Sequence, residues 1–340
     1  MKTQKKTPKL SVVVATHNRQ AQLKRCIDSV YSSDFNQNYE VIVVVNGECK
    51  KSIKLLRELS RSRKNLIYYK IEKTTLGATR NHGISKAQGD ILYFIDDDVI
   101  VPQDNLSKVV GLFSKHADVD VLGGPNISPI ESSRFQRYSG YVLQTYFGAA
   151  NMRYRYGSFG KNTPADERML ILCNLAIRAD SLKKSKVRFD SDVVRNEENI
   201  LLQHMTEKGH KMIYMPDLIM YHDRRKNIYG FASQLFMYGR GRIQNIAKYP
   251  ETFNPLFIMP AMLVVDTIIY FVTSNALFAA PIITYLLLDF VSSSVKSYRE
   301  KDIISFFALL FLFPIAHFSY GLGFTYEILK NGSEKIFSRL

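Results

Sequence analysis

Four short, mostly apolar runs, each separated from the next by a polar turn and a helical pattern, constrain the fold more than any other feature. They are Leu10–Ala15, Val41–Val45, Leu66–Ile71 and Ile91–Ile95. Runs with no polar alternation suit strands buried on both faces, as in the middle of a layered sheet. Between them, Gln20–Tyr31 places Leu23, Cys26, Ile27 and Val30 on one helical face, and Ile53–Leu59 forms a second helical pattern. Strand and helix thus alternate, which predicts βαβ units and a mainly parallel sheet in an α/β domain.

The fourth run ends in Asp96-Asp97-Asp98. Acids at the carboxyl end of a buried strand occupy the usual ligand position of an open α/β sheet. Side-chain alternation sends Asp96 and Asp98 to one face and Asp97 to the other. Paired carboxylates with open positions suit a hard divalent cation, Mg²⁺ or Mn²⁺, which in turn suits a diphosphate. Taken alone, the triplet equally describes a solvated acidic loop. Upstream, Thr75-Leu76-Gly77-Ala78-Thr79-Arg80 opens another helix. Arg80 at such a start suits a phosphate or ribose, or simply the surface.

The succession Ser11-Val-Val-Val-Ala-Thr-His-Asn-Arg, Glu40-Val-Ile-Val-Val-Val-Asn-Gly, Gly77-Ala-Thr-Arg-Asn-His-Gly-Ile and Gly89-Asp-Ile-Leu-Tyr-Phe-Ile-Asp-Asp-Asp resembles the nucleotide-binding half of family 2 glycosyltransferases with the GT-A fold, a Rossmann-like arrangement. Four ordered motifs at matching spacing are more specific than any one of them. The resemblance implies that Thr16, His17 and Asn18 hold the nucleobase, that Arg80 lies near the nucleotide, and that Asp96, Asp97 and Asp98 hold ribose and metal. Asn46, with Val45 before it, stands where the family usually carries an acid for base or ribose contact, and is assigned to the nucleotide with them.

Further along, Val119–Gly124 and Met169–Ile177 read as strands, the latter carrying Asn174. Phe135–Ala150 is rich in tyrosine and small residues, for which packing is the default reading. Arg153-Tyr154-Arg155-Tyr156 forms a basic, aromatic loop, either solvated or over a phosphate-bearing substrate. Glu197 and Glu198 head an amphipathic helix, where carboxylates favour the helix dipole. Glu198 stands eleven residues before Gly209, followed by a strand Lys211–Met215. In the resembling family an acidic pair so placed supplies the base that takes a proton from the acceptor hydroxyl, which assigns Glu198 as base and Glu197 as its reserve. His222, after the strand-like Ile219–Tyr221, is read as a further metal ligand beside Asp96 and Asp98, or as a hydrogen-bonded structural residue. Asn174, Arg240 and Arg242 are assigned to the acceptor and diphosphate. The processive polysaccharide synthases carry a Gln-x-x-Arg-Trp motif hereabouts, and this chain has no tryptophan.

After Pro255 the composition changes to three apolar runs, Leu256–Thr273, Ala276–Val291 and Ile303–Leu329, near or above the ~20 residues needed to cross hydrocarbon. Asp266, Asp289 and His317 lie inside them, positions that point to partner helices or lipid headgroups. Lys296, Arg299 and Lys301 set the link after the second run inside. A crossing third run then carries Lys330, Lys335 and Arg339 outside, against the rule, unless it turns back at Pro314. Across the 340 residues the net charge is +15, which favours anionic membranes or substrates over nucleic acid because the cations are scattered. Three separated cysteines fit free thiols in a reducing compartment, and no secretory leader is read in Met1–Lys9.

These readings predict a GT-A domain over 1–250, with a nucleotide-binding half at 9–125 and an acceptor half at 126–250, and a transmembrane helical region at 251–340. The resemblance, spanning residues 9 to 245 and most like the succinoglycan-type exopolysaccharide enzymes, implies an inverting, metal-dependent transfer from a nucleotide-diphosphate sugar donor to a lipid-linked acceptor. The expected setting is the cytoplasmic (inner) membrane, multi-pass, with the catalytic domain in the cytoplasm. A polyprenyl-phosphate sugar synthase and a non-catalytic nucleotide-binding membrane scaffold are the alternatives.

Overall fold

The computed structural model describes residues 9–193 and 196–331. Lys335 and Arg339 lie outside the described residues. Backbone contacts divide the chain into a sheet unit, residues 1–127 and 157–222, and a helical unit, residues 128–156 and 223–340. The sequence reading set its boundary at 250; the contact boundary falls at 222, with a further excursion at 128–156.

The sheet unit begins β1 (Leu10–Thr16), α1 (Gln20–Tyr31), β2 (Tyr39–Asn46), α2 (Lys50–Ser62), β3 (Leu66–Ile71), α3 (Leu76–Lys86) and β4 (Ile91–Asp96). Strands β3, β2, β1 and β4 lie side by side in parallel. After β4 come β5 (Val99–Ile100), α4 (Asn105–Lys115), β6 (Val121–Gly123) and β7 (Asn126–Ile127). The chain leaves this unit for α5 (Arg134–Leu143) and α6 (Tyr146–Ala149), then returns for β8 (Thr163–Pro164), β9 (Leu175–Arg178), α7 (Ala179–Ser185), α8 (Glu197–Glu207), β10 (Met212–Tyr214) and β11 (Met220–His222).

The large sheet has the order β3-β2-β1-β4-β9-β6-β10-β8, and a small sheet pairs β5, β11 and β7. β9 runs antiparallel to both β4 and β6, so the sheet is mixed rather than mainly parallel in its second half. The expected strand Met169–Ile177 is also shorter. Leu172–Asn174 is a 3₁₀ turn, because the Asn174 side chain bonds outside the ladder.

The apolar runs supply the core. Leu10, Val12, Val14, Val41, Val43, Ile91 and Tyr93 pack with Leu23 and Ile27 of α1 and Leu106 and Val109 of α4. Each such side chain contributes about 1.5–3 kcal/mol by leaving water, so burial rather than local propensity holds the layers. Close approach is also required: a side chain at Gly83 of α3 would meet Val13 Cγ1 at 2.6 Å. The missing Cβ lets α3 lie flat on β1, which fixes where Arg80 points.

The helical unit adds α9 (Ile228–Lys248), α10 (Met259–Thr273), α11 (Ala279–Glu300) and α12 (Ile303–Asn331) to α5 and α6. Two segments, Ala276–Glu300 and Ile303–Lys330, are long and apolar enough to cross a membrane. The first apolar run differs from expectation: Pro255–Phe257 is a 3₁₀ turn and α10 has 15 residues, a length of about 22 Å. α12 runs through Pro314 as one helix of 29 residues, so no re-entrant hairpin forms there. Two of the three ionisable groups inside these runs find partners: Asp289 accepts from Ser293 at 3.0 Å, and His317 lies 2.9 Å from the Tyr285 hydroxyl and 3.0 Å from the Phe147 carbonyl, whereas Asp266 Oδ2 is buried with no hydrogen-bond partner.

Candidate active site

The site grows from the carboxyl ends of β1, β2 and β4. β1 ends at Thr16, and the chain turns at His17 and Asn18, the latter in the left-handed region at φ 54° that asparagine tolerates. The Asn18 amide donates to Cys49 Sγ at 3.4 Å, and His17 Nδ1 lies 2.6 Å from the Asn46 carbonyl. The turn is therefore held against the end of β2. Asn46 plays a different part from the one its position predicted. Its amide donates to the Thr74 carbonyl and accepts from the Thr74 N–H, both at 2.8 Å, and the residue is buried. Spent on backbone, that side chain braces the loop into α3 instead of facing a ligand.

The three aspartates separate, and the cause is a turn: β4 stops at Asp96, and Asp97 and Asp98 occupy the link to β5. Asp97 is buried, accepting from Thr16 Oγ1 at 2.6 Å and from Arg19 at 3.2 Å. Burial pushes its carboxyl up to about 6, against the Thr16 bond and the Arg19 charge that favour ionisation. Asp98 accepts from Arg19 at 2.6 Å and lies 3.1 Å from His222 Nε2. One ligand atom from each of Asp96, Asp98 and His222 falls within 4.8 Å of the other two. Two carboxylate oxygens and an imidazole form a donor set that suits Mn²⁺ or Mg²⁺ with positions left for water or phosphate. The His222 Nδ1 atom is buried with no hydrogen-bond partner. Pairing of β11 with β5 is what brings this histidine to the triplet.

Arg80 is buried and joins two acids, donating to Asp96 at 2.9 Å and to Glu197 in a shorter bond. Glu197 and Glu198 open α8 and are both buried, which dipole stabilisation of a surface helix end does not require. Burial, with Glu198 and Asp96 nearby, pushes the Glu197 carboxyl up despite the Arg80 charge. One guanidinium thus serves carboxylates on two distant segments.

The segment leading to α8 is fastened to α3. Asn81 donates to the Phe189 carbonyl at 2.7 Å and accepts from the Phe189 N–H at 3.0 Å, as a neighbouring strand would. Thr75, the N-cap of α3, accepts from Ala78 N–H at 3.2 Å and donates to the Ser191 carbonyl at 2.6 Å. Arg19 and Asn81 lie inside the quoted motifs without an assigned role; only their partners, far along the chain, reveal one.

Three assigned residues sit elsewhere. Asn174 is fully buried, accepting from Tyr93 at 2.7 Å and donating to Leu218 and Pro125 carbonyls at 2.5 and 3.4 Å, so it braces the sheet and offers nothing to an acceptor. Arg240 and Arg242 belong to the helical unit. There Arg240 pairs with the buried Glu327 at 2.6 Å, and Arg242 stacks on Phe257 at 4.0 Å, so neither is presented as a phosphate clamp.

Comparison with known proteins adds to this geometry. The model of glycosyl transferase family 2 matches residues 11–185. The dolichyl N-acetyl-alpha-D-glucosaminyl phosphate 3-beta-D-2,3-diacetamido-2,3-dideoxy-beta-D-glucuronosyltransferase of Methanococcus voltae is 23% identical over 335 residues, covering 95% of this chain and 98% of that one. Among solved structures, the mannosyltransferase PcManGT from Pyrobaculum calidifontis, in complex with GDP-Man and Mn²⁺, superposes with a TM-score of 0.61 at 15% identity, over 96% of this chain and 89% of that one. S. aureus TarS 1-349 in complex with UDP-GlcNAc gives 0.52 at 14% identity, over 95% and 92%. At such identities the structural likeness establishes the fold.

Two outcomes test this geometry. In Asn81→Ala, amide hydrogen exchange at Phe189 and in the first turn of α8 accelerates at least about tenfold while β1 and β4 keep their protection, the mark of a local clasp. The folded chain holds the Asp97 proton more tightly than the unfolded chain does, so the stability it contributes is full below the ordinary carboxylate range and is lost as pH rises through about 6. Asp97→Asn therefore flattens the decline from about pH 4 to 6, by on the order of 1–3 kcal/mol, in denaturant unfolding with chelator present.

Proposed function

The chain belongs to glycosyl transferase family 2, with a GT-A sheet domain and a helical C-terminal region, and on that premise we propose that it is an inverting transferase moving a sugar from a nucleotide-diphosphate donor to a lipid-linked acceptor in surface-glycan assembly. The observation that carries the reading is the convergence of Asp96, Asp98 and His222 on one small volume, with Arg80 joining Asp96 to the Glu197-Glu198 pair.

Donor and acceptor chemistry divide between these groups. Asp96, Asp98 and His222 are the residues to hold a divalent cation, whose charge offsets that gathering on the leaving diphosphate. The turn Thr16–Asn18, held rigid by β2, receives the nucleoside. Glu198 takes the proton of the attacking hydroxyl, while Glu197, committed to Arg80, fixes the start of α8 and hence the position of its neighbour. Attack on the side opposite the diphosphate inverts the anomeric carbon. Arg80 keeps the two carboxylate groups in register, which counts because small misplacements of a base are costly in rate.

Two features support a lipid-linked acceptor: the apolar helices of the second unit, and the relative from Methanococcus voltae, which by its name acts on a dolichyl phosphate-linked sugar. A nucleotide-sugar donor and the free thiols Cys26, Cys49 and Cys173 support a position of the sheet unit on the cytoplasmic side of the cell membrane. The formal charge of +15 suits that anionic surface.

Radiolabelled transfer in native membranes tests the assignment. Asp98→Asn lowers kcat by at least about 100-fold with the protein still in the membrane fraction, and Glu198→Gln lowers it by about 10²–10⁴ with the donor KM near the parent value. Transfer at the parent rate by either variant removes that residue from the mechanism.

A further inference from the structure

By length and composition two segments, Ala276–Glu300 and Ile303–Lys330, could cross a membrane, yet the packing of the helical unit favours no crossing. α12 divides lengthwise into two stripes. On this helix of about 44 Å the inner stripe, Leu309, Phe313, Ala316, Phe324 and Glu327 among others, is buried, while Ile304, Phe307 and Phe311 are exposed in its first half and Leu322, Tyr326 and Leu329 toward its end. What covers the inner stripe decides the orientation.

Along the first half lie α5 and α6. Tyr138 donates to Asp302 at 2.8 Å, and the Phe147 ring meets Phe313 at a tilt and His317 edge-on, with centroids 5.1 and 4.9 Å away. Along the second half lies α9. A Cβ on Gly239 would strike Tyr320 and Phe324, one on Gly323 would strike Phe236, and Arg240 and Gln244 both bond Glu327. These pairs keep a nearly constant offset in sequence, so α9 and α12 run side by side in the same direction. The start of α9 at Ile228, with exposed Arg225 and Lys226 just before it, then falls level with the middle of α12 near Pro314. If α12 crossed, those two cations would be carried to the bilayer centre, at about 2.5–3.5 kcal/mol each even on the lenient insertion scale.

The remaining apolar helices follow α12. Ser297 bonds the Asp302 carbonyl, Phe290 meets Phe306 and Tyr285 meets His317, so α11 runs back antiparallel along the first half. Phe257 and Ala261, flanking the start of α10, pack with Phe324 on the second half. The unit is thus a polar layer of α5, α6 and α9 under an apolar layer of α10, α11 and α12. Cations fringe the apolar layer: Arg134 and Arg137 on α5, Arg299 and Lys301 at one end of α12, Lys330 at the other.

We propose that this apolar layer lies flat in one leaflet of an anionic membrane, monotopic, with both ends of α12 and the Ser274-Asn275 link on the same side. The occupant of the exposed stripe is acyl chain, and the fringe of arginine and lysine meets the headgroups. This arrangement rests on the membrane attachment proposed above and is independent of the chemistry at the carboxylates. It also removes the conflict with the positive-inside rule, since Lys301 and Lys330 share a side.

Single cysteines at Ser274, Lys301 and Lys330, all exposed, give the test in sealed right-side-out and inverted vesicles, with transfer activity confirming that each variant is folded. The three native cysteines are buried. A membrane-impermeant maleimide labels all three sites in the same vesicle orientation; labelling of any one from the opposite side overturns the proposal. Nitroxides along the outer stripe, at Ile304, Phe307, Phe311, Leu322 and Leu329, give a near-constant shallow depth in oxygen and nickel accessibility. A depth profile that climbs to the bilayer centre and descends again means that α12 crosses, and full water accessibility means that the stripe is not lipid-facing. Flotation with anionic vesicles separately reports whether the protein is attached at all, so failure of the attachment and failure of the flat orientation read differently.

Discussion

A single guanidinium holds the candidate site together. Arg80 leaves water almost completely to lie between Asp96 at the end of β4 and Glu197 at the head of α8, residues that the chain supplies from distant segments of the sheet unit. A buried charge is costly unless paired, and that cost falls on Arg80 and Glu197, while Asp96 keeps part of its side chain in water. The end of β4 and the head of α8 are consequently tied by one side chain. Its own placement depends on Gly83, which lets α3 rest on β1, and on Thr75 and Asn81, which fasten the helix to the loop from Asp190 onward.

The layered fold was legible because its information is local. Runs such as Val41–Val45 need no partner to announce that both their faces are buried, and the turn after each run is where ligands gather in such sheets. β9 was harder to read. Its four residues carry no sign of direction, and it enters the sheet antiparallel to β4. The aspartate triplet announced chemistry, but the reason Asp96 and Asp98 share a side is a turn rather than strand alternation.

Site residues were legible in proportion to how little they depend on distant partners. His222 lies 124 residues from Asp98, and only its position at a strand end hinted at their meeting. Asn46 and Asn174 stood at ligand-like positions yet spend their amides on the backbone of Thr74, Leu218 and Pro125. An amide advertises the same donors and acceptors whether its partner is a substrate or a peptide group, so sequence does not separate the two. Arg240 and Arg242 mislead in a related way, because the buried Glu327 that claims the first of them sits within a run that otherwise reads as membrane helix.

The clasp between Asn81 and Phe189 has an implication for anyone altering what this protein transfers to. Grafting the stretch around α8 from a relative would carry its own backbone into contact with a helix that evolved against a different one. Exchanges that swap α3 together with that stretch preserve the paired edge, and a cut placed between them splits a single mechanical part into two.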